Sequence, residues 1–358
     1  MKNLGIKIEA SSHQPEMKLT VSGIKSGLVI NHDLITTNLN KRRPNSSFNT
    51  SRVETDEYYF TSGVKDNITT GEELTIVVKN NNVNSSHYPY GVIRPGHGDY
   101  VGYQTIDNYD HRGGGGFSGR ITVLYVILGS IFEANTNTII SGKIKQVGLI
   151  KDSVNLIDLS LEQTSKINNK LYMYDEAKCN EAMSYLNKCR KQGTSCGGII
   201  ELRVHNPQLG LGGLNFDNLE GQIAQAMFSI GGVKGINFGA YYNSDNLSST
   251  NLIEQLYIDE ANNIYSDNNI SGGINGGISN GYQDIYFNLI IKPPSSTFNP
   301  INTIKLTDDG YKSHLLTLEG RHDTFIANRI LPVAISMLYI VLYDQELSIN
   351  KRNLTNLN

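Results

Sequence analysis

Runs of β-branched and aromatic residues along the chain predict short strands. Residues 74–79, 199–204 and 286–291 are the clearest examples, and each run has the length of a single strand. We expect these three segments to lie in sheets.

A periodic apolar stripe predicts a helix that begins at Asp217. Asp217 and Glu220 fit the N-cap and N3 positions of a capping box, and Gly231-Gly232 is expected to stop the helix. The buried stripe consists of apolar residues three or four positions apart: Leu219, Ile223, Met227 and Ile230.

Three further segments are expected to be helical. An apolar helix should start just after Ser118, and a more polar one at residues 176–189 should cover a surface. The most apolar stretch, residues 330–342, is too short to span a bilayer, and Pro332 near its start suits a first helical turn. We interpret this stretch as a buried helix.

The order of strands and helices bears on the fold class. They mix without the regular βαβ alternation of a doubly wound sheet, so the pattern favours an α+β fold. Glycine-rich loops occur from Gly113 to Gly281, but no Pro/Ser-rich segment divides the chain. We therefore expect residues 1–358 to form a single domain.

Composition narrows the class of protein. The 358 residues are 39% hydrophobic and 18% charged, as in soluble globular proteins, and the net charge of −3 predicts no attraction to nucleic acid or to anionic membranes. The N-terminal residues lack the apolar core of a signal peptide. The three cysteines, Cys179, Cys189 and Cys196, lack metal-binding spacing, so we expect a reducing compartment and no metal site.

Arginines accompany two glycine-containing segments. Residues 94–100 read RPGHGDY, and residues 110–120 read DHRGGGGFSGR, where four glycines expose backbone N–H groups and Ser118 can cap the next helix. Such a loop before a helix N-terminus can bind an anion, and Arg94, Arg112 and Arg120 would add positive charge. The alternative is a glycine-rich hairpin with solvated arginines. Neither a Walker A sequence nor a dinucleotide G-x-G-x-x-G pattern is present.

Two more clusters could contact a ligand. Glycine pairs within residues 271–281 would let the backbone approach a flat ligand, and Lys292, Ser295 and Ser296 offer donors to a phosphate. Residues 320–323 place a histidine and Asp323 together before the apolar helix. Taken alone, both patterns are more often structural than functional.

The order of these motifs resembles that of the chorismate synthase family over nearly the whole chain. Family-like segments occur at residues 42–44, 52–56, 62–64, 69–71, 94–100, 112–120, 197–201, 210–212, 226–230, 233–235, 271–281, 292–293 and 320–323. Chance agreement over so many ordered motifs is negligible.

This resemblance implies a fold, a reaction and a cellular setting. Family members are β-α-β sandwiches that assemble as homotetramers in the cytoplasm. They eliminate phosphate from 5-enolpyruvylshikimate 3-phosphate by a 1,4-anti reaction of the shikimate pathway, which yields chorismate and needs reduced FMN. No added nucleotide-binding segment is visible, so we expect an external flavin reductase, with NADPH only as an indirect reductant. Neither nucleic acid nor a membrane is an expected partner.

The resemblance also implies roles for individual residues. His97 would be the acid beside the leaving phosphate, His13 would lie near the flavin pyrimidine ring, and Asp323 would assist proton removal near flavin N5. The positions that correspond to FMN contacts are Gly116, Phe117, Ser118, Gly231, Gly232, Gly277, Lys292, Pro293, Pro294, Ser295, Ser296 and Arg321. Arg42 corresponds to a contact with the nicotinamide nucleotide cofactor or the substrate. The positions that correspond to ligands of the substrate's anionic groups are Arg43, Arg112 and Arg120.

Two other functions stay open at this point. A divergent homologue could bind FMN or a shikimate phosphate with little turnover, because Ala10, Gln14 and Gly116 differ from the usual family residues and one displaced group can cost much of the rate. The third hypothesis is a flavin reductase that uses NADPH directly.

Overall fold

The computed structural model of the protein describes residues 1–11, 13–44, 48–49, 56–80, 90–240, 248, 252–295, 298–317 and 323–355. The strands are β1 (Gly5–Glu9), β2 (Glu16–Ser22), β3 (Tyr58–Ser62), β4 (Val64–Lys65), β5 (Ile68–Thr69), β6 (Leu74–Lys79), β7 (Ile139–Val147), β8 (Ile150–Lys151), β9 (Gly198–His205), β10 (Val233–Phe238), β11 (Leu256–Ile258), β12 (Ile264–Ser266), β13 (Ile274–Asn275), β14 (Ile278–Ser279), β15 (Ile285–Ile291), β16 (Ile301–Thr307) and β17 (Gly310–Leu316). The α-helices are α1 (His32–Arg42), α2 (Asp99–Thr105), α3 (Thr122–Glu133), α4 (Leu161–Ser165), α5 (Glu176–Lys191), α6 (Leu219–Phe228) and α7 (Ala327–Thr355).

Two antiparallel sheets enclose a layer of helices. The first sheet has the order β1-β2-β6-β3 and the second the order β10-β15-β9-β7-β8. Helix α3 contacts β2 and β6 of the first sheet, α7 contacts β7 and β9 of the second, and α3 packs against both α1 and α7. This arrangement is the α+β, β-α-β sandwich that we predicted, and the antiparallel pairing explains why no βαβ repeat is found in the sequence.

The three predicted strands form as expected. Strand β6 has the predicted bounds, whereas β9 and β15 each begin one residue earlier than predicted. Along β9, Ile200, Leu202 and Val204 face the core, so the alternate residues face the other side of the second sheet. There Glu201 binds Lys143 of β7 at 3.2 Å, and both side chains are fully or almost fully buried. The opposite charges make this burial tolerable.

The cap of α6 differs from the prediction. Asn218, not Asp217, is the N-cap, and its side-chain oxygen accepts a hydrogen bond from Gly221 N at 2.5 Å. Asp217 ends a preceding 3₁₀ turn and pairs with Lys2 on the surface, which is why it is not available as the cap. The apolar stripe of this helix is buried as predicted.

The other predicted helices are present, but α7 is longer than expected. Helix α3 follows a 3₁₀ turn at Gly119–Ile121, and α5 begins at Glu176 as predicted. Helix α7 starts at Ala327, so Pro332 lies in its second turn and the prediction of a first-turn proline is wrong. The segment Ala327–Ile349 is long and apolar enough to cross a membrane by length and composition, but 83% of its most apolar window is buried in the protein, as in a core helix.

Helices α3 and α7 approach each other closely at Gly129. A Cβ atom built on Gly129 would lie 2.6 Å from Cβ of Ser336 and closer still to the Ser336 carbonyl oxygen. Three residues further along α3, Phe132 stacks on Tyr343 with ring centroids 4.0 Å apart and planes 9° apart. The absence of a side chain at Gly129 therefore sets the distance between the two central helices.

We expect Gly129→Ala to lower the free energy of unfolding by about 1–3 kcal/mol, because the new methyl group overpacks this contact. The sign is diagnostic, since alanine in a helix interior otherwise stabilises by about 1 kcal/mol relative to glycine. Urea unfolding measures the change. Gly119→Ala, where a Cβ atom would meet nothing within 4 Å, is the control. A stabilised Gly129→Ala protein would contradict the close approach.

Candidate active site

A carboxylate holds the ring of His97. Nδ1 of His97 lies 3.0 Å from Oδ1 of Asp99, the first residue of α2. The same carboxylate accepts hydrogen bonds from the backbone N–H of Arg94 at 3.0 Å and from the Arg94 guanidinium at 2.7 Å to each oxygen. The Asp99 side chain is 1% exposed and that of His97 22% exposed. Nδ1 is thus committed to the protein, and Nε2 is the ring nitrogen that can meet a ligand.

Asp99 is stabilised in its ionised form. Burial acts to raise its pKa, but hydrogen bonds from Arg94 and His97, together with their charges, hold the pKa of Asp99 well below its ordinary value. The hydroxyl of Tyr109 also donates to Oδ1 of Asp99 at 3.1 Å. Burial, followed by the charge of Asp99, raises the pKa of Tyr109, so this hydroxyl keeps its proton for the hydrogen bond.

The glycine-rich loop passes directly beside His97. Gly113, Gly114 and Gly115 have φ values of 57°, 93° and 51°, a left-handed run that other residues rarely adopt. A Cβ atom built on Gly114 would lie 3.0 Å from Nε2 of His97. The loop does not lead straight into α3 as predicted, because the 3₁₀ turn at Gly119–Ile121 intervenes, and Ser118 Oγ caps that turn by accepting from Arg120 N at 3.3 Å.

Asp56 brings together three of the predicted arginines. Arg42 Nη2 donates to the two Asp56 oxygens at 3.2 and 3.3 Å, and Arg43 Nε donates to Oδ2 at 3.4 Å. Arg120 Nη1 also donates to Oδ1. Burial acts to raise the pKa of Asp56, but the charges of these arginines, led by Arg42, hold it below its ordinary value. The end of α1 and the 3₁₀ turn before α3 thus contribute cationic groups to one cluster.

Asp323 is connected to this arginine cluster through Arg329 of α7. Arg329 Nη1 donates to Oδ2 of Asp323 at 3.0 Å, and Arg329 Nε donates to the backbone oxygen of Arg42 at 3.3 Å. Asp323 is therefore placed beside the end of α1. Arg321, two residues earlier, lies outside the described residues.

A third carboxylate links the His13 segment to the glycine-rich loop. Asp110 accepts from Ser11 Oγ at 2.8 Å and from Arg112 Nε at 2.7 Å. His13 follows in the next turn and is 6% exposed, whereas Gln14 is exposed. Gln14 differs from the usual family residue, and its side chain has room in this turn because it is exposed.

Lys292 and Ser295 reach the segment that carries His97. Lys292 Nζ donates to the backbone oxygen of Gly96 at 2.5 Å, and Ser295 Oγ donates to the same oxygen at 2.9 Å. Burial, followed by the charge of Lys234, lowers the pKa of Lys292. Pro293 and Pro294 form the backbone between these two residues, and Ser296 lies outside the described residues. Lys292 thus contacts the turn before His97, and Lys234 is near enough to Lys292 to affect its pKa.

The remaining predicted FMN contacts divide into two places. A Cβ atom built on Gly231 would lie 3.8 Å from the carbonyl oxygen of Phe117, so Gly231 and the adjoining Gly232 are beside the glycine-rich loop. Gly277 is at the other end of α6, where its carbonyl oxygen accepts from Leu219 N at 2.8 Å. A ten-residue helix is about 15 Å long, so one chain does not bring Gly277 together with Gly231.

The structure brings four residues into the site that were not predicted from the sequence. Asp99 and Tyr109 hold His97, Asp56 gathers the arginines, and Arg329 holds Asp323. Only Asp99 had a usable signal, because it is two residues from His97. Asp56 acts across the fold, and Arg329 reaches both Asp323 and the backbone of Arg42 from within α7, so spacing in the sequence reveals neither role.

The fold and the site together define an α+β protein that holds a histidine and several arginines around a glycine-rich loop. Within the described ranges, no group of three or more His, Cys, Asp or Glu side chains could hold a metal ion. Such a site suits an anionic ligand and proton transfer.

Comparisons with known proteins identify the family. The sequence model of the family described as chorismate synthase matches residues 4–347. The chain is 33% identical over 341 residues to a chorismate synthase from Methanothermobacter thermautotrophicus, covering 93% of this chain and 90% of that one. It is 34% identical over 343 residues to one from Dehalococcoides mccartyi, covering 93% and 92%. A crystal structure of chorismate synthase shares the fold, with a TM-score of 0.72 at 20% identity over 97% of this chain and 92% of that one.

The chain therefore belongs to the chorismate synthase family, whose members are carbon–oxygen lyases. The predicted family, fold class and enzyme class are confirmed. The roles of individual residues and the single-domain organisation stay predictions.

We expect Asp56→Asn to lower the free energy of unfolding by about 3–5 kcal/mol at pH 7, because it leaves buried guanidinium groups without their carboxylate. The pKa of Asp56 is lowered in the folded protein, so its contribution is present above its ordinary pKa and is lost as the pH falls through the folded value. The difference between wild type and variant should therefore shrink below about pH 4.

Urea unfolding between pH 3 and pH 7 measures this difference. Asp309→Asn, in the exposed turn between β16 and β17, is the control and should change the stability little at any pH. If Asp56→Asn lowers the free energy of unfolding by the same amount at pH 3 and at pH 7, Asp56 is not held ionised by its arginines.

Proposed function

We propose that the protein eliminates phosphate from 5-enolpyruvylshikimate 3-phosphate and forms chorismate, with reduced FMN bound in the same site. Family membership supports the reaction. The observation that carries the proposal is the placement of His97, whose Nδ1 is bonded to Asp99 while Nε2 faces the glycine-rich loop. A departing phosphate needs a proton donor and nearby positive charge, and these contacting segments offer both.

His97 gives its proton to the phosphate from Nε2. The Asp99 carboxylate keeps a proton on Nδ1 and fixes the ring plane, and Arg94 and Tyr109 in turn fix Asp99. Because the acid is already oriented before the substrate binds, little reorganisation is needed when the C–O bond breaks.

The arginines bind the anionic groups of the substrate, which carries one phosphate and two carboxylates. The side chains of Arg43 and Arg112 are 30% and 42% exposed, so they can contact a ligand from the rim. Those of Arg42 and Arg120 are only 6% and 7% exposed and supply positive charge from within the protein. Low surrounding dielectric makes the charge of the buried pair more effective than it would be in water.

The residues assigned to FMN fit a planar ligand with a phosphate tail. A Cβ atom on Gly116 would meet nothing within 4 Å, and Gly231 is almost as open, so flat surface is available beside the glycine-rich loop. Lys292 donates one N–H to the Gly96 oxygen and one to Ser295 Oγ, which leaves its third for a phosphate, and Ser118 and Phe117 complete the rim. When bound, reduced FMN supplies electron density to the substrate as phosphate departs.

Asp323 and His13 serve the second proton movement. Asp323 assists the removal of the substrate proton, and Arg329 holds its carboxylate in position. His13 lies close to Ser11, whose bond to Asp110 ties this turn to the loop that carries Arg112. His13 would help to hold the pyrimidine end of the flavin.

The proposal includes the cellular setting that the resemblance implies. The protein works in the cytoplasm as a homotetramer and receives reduced FMN from an external flavin reductase, with NADPH as the indirect reductant.

We expect His97→Ala to lower kcat by about 10²- to 10⁴-fold, because the proton donor is lost. The measurement is anaerobic phosphate release from 5-enolpyruvylshikimate 3-phosphate with photoreduced FMN. His32→Ala is the control, since His32 lies at the start of α1, bonded to Tyr58 and Asn67, and should leave kcat unchanged.

Three outcomes would contradict the proposal. A folded wild type that binds FMN but releases no phosphate would favour the divergent homologue with little turnover. Oxidation of NADPH with FMN in the absence of the shikimate substrate would favour the flavin reductase. An equal loss of kcat in His97→Ala and His32→Ala would show that His97 is not the acid.

A further inference from the structure

The ring of Phe117 occupies the space where a side chain at residue 98 would lie. A Cβ atom built on Gly98 would be 2.5, 2.7 and 2.8 Å from Cδ2, Cε2 and Cγ of Phe117. The backbone of Gly98 has φ −79° and ψ 5°, a conformation open to any residue. The backbone conformation at residue 98 does not require glycine. The ring of Phe117 does, because it leaves no room for a side chain there.

Phe117 is also connected to the carboxylate that holds His97. Its ring lies 6.0 Å from that of Tyr109, with an angle of 54° between the planes, and Tyr109 donates its hydroxyl to Asp99. Tyr109 is itself seated against Gly102, where a Cβ atom would come within 2.6 Å of its ring. A displacement of Phe117 would thus move Tyr109 and, through Asp99, the ring of His97.

The glycine-rich loop needs an anchor at this end. Four consecutive glycines give residues 113–116 a wide choice of backbone conformations. The salt bridge of Arg112 with Asp110 holds the start of the loop. Phe117 is the first residue after the glycines with a side chain, and its contacts with Gly98 and Tyr109 hold the end.

We infer that Phe117 is a positioning residue: seated on Gly98, its ring fixes the glycine-rich loop against Nε2 of His97 and braces Tyr109 against Asp99. This role deepens the proposed function and rests on it, because it concerns the acid of that reaction. Phe117 and Gly98 form a matched pair, so a change at one residue depends on the other.

The test is a double-mutant cycle of Gly98→Ala and Phe117→Ala. Gly98→Ala should displace the ring and lower kcat by about 10-fold or more with a smaller change in KM, since misplacement of about 1 Å can cost that much. Phe117→Ala should also lower kcat, through the loss of the anchor. In the double variant, Gly98→Ala should add no further loss, because the ring that it displaces is absent.

Two variants provide matched controls. Gly5→Ala adds a methyl group against the side chain of Ser22 on the exposed strand β1, outside the site, and should leave kcat unchanged. Phe117→Tyr keeps the ring and should keep kcat within about twofold of wild type, whereas Phe117→Ala should not. If Gly98→Ala fails to fold, the comparison of Phe117→Tyr with Phe117→Ala still tests the inference.

A second readout does not depend on turnover. The ¹⁵N chemical shifts of the His97 ring, assigned by comparison with His97→Gln, report the hydrogen bond of Nδ1. They should change in Gly98→Ala and in Phe117→Ala, and the double variant should match Phe117→Ala. If wild type releases no phosphate, the proposed function fails, and these shifts alone still decide the positioning role.

The inference is overturned if Gly98→Ala has wild-type kcat and His97 shifts. It is equally overturned if Gly98→Ala causes the same loss with and without the Phe117 ring, or if Phe117→Ala equals Phe117→Tyr in kcat and in the His97 shifts.

Discussion

The close approach of α3 and α7 is the contact on which the site depends. The bare backbone of Gly129 lies against Ser336, and Phe132 stacks on Tyr343 nearby. Both helices begin at the site, since α3 follows the glycine-rich loop and α7 follows Asp323. The two helices are rigid and locked together, so the residues at their starts are held at a fixed separation.

Two buried carboxylates organise the charged side chains at these helix ends. Asp99 fixes Arg94 and His97, and Asp56 gathers cationic groups from the end of α1 and from the 3₁₀ turn before α3. Their lowered pKa values follow from the cations around them, which outweigh the cost of burial. The site is thus ordered before a ligand arrives, which is the arrangement that favours stabilisation of developing charge.

Local patterns in the sequence predicted much of the fold, whereas contacts across the fold were beyond them. β-branched runs and apolar stripes identified β6, β9, β15 and the buried side of α6, because these signals come from a residue's immediate neighbours. The cap of α6 was misassigned by one residue, since Asp217 and Asn218 are both good caps and only the preceding 3₁₀ turn separates them. The role of Asp56 depends on α1 and α3 meeting, which no local pattern encodes.

The central claim is that His97, the glycine-rich loop and the arginines at Asp56 form one site for the departing phosphate. A crystal structure of the protein with 5-enolpyruvylshikimate 3-phosphate and oxidised FMN tests it most directly. The account predicts a phosphate oxygen about 3 Å from Nε2 of His97, with Arg43 or Arg112 on the anionic groups of the substrate. A substrate bound with its phosphate away from His97 and the glycine-rich loop would contradict it.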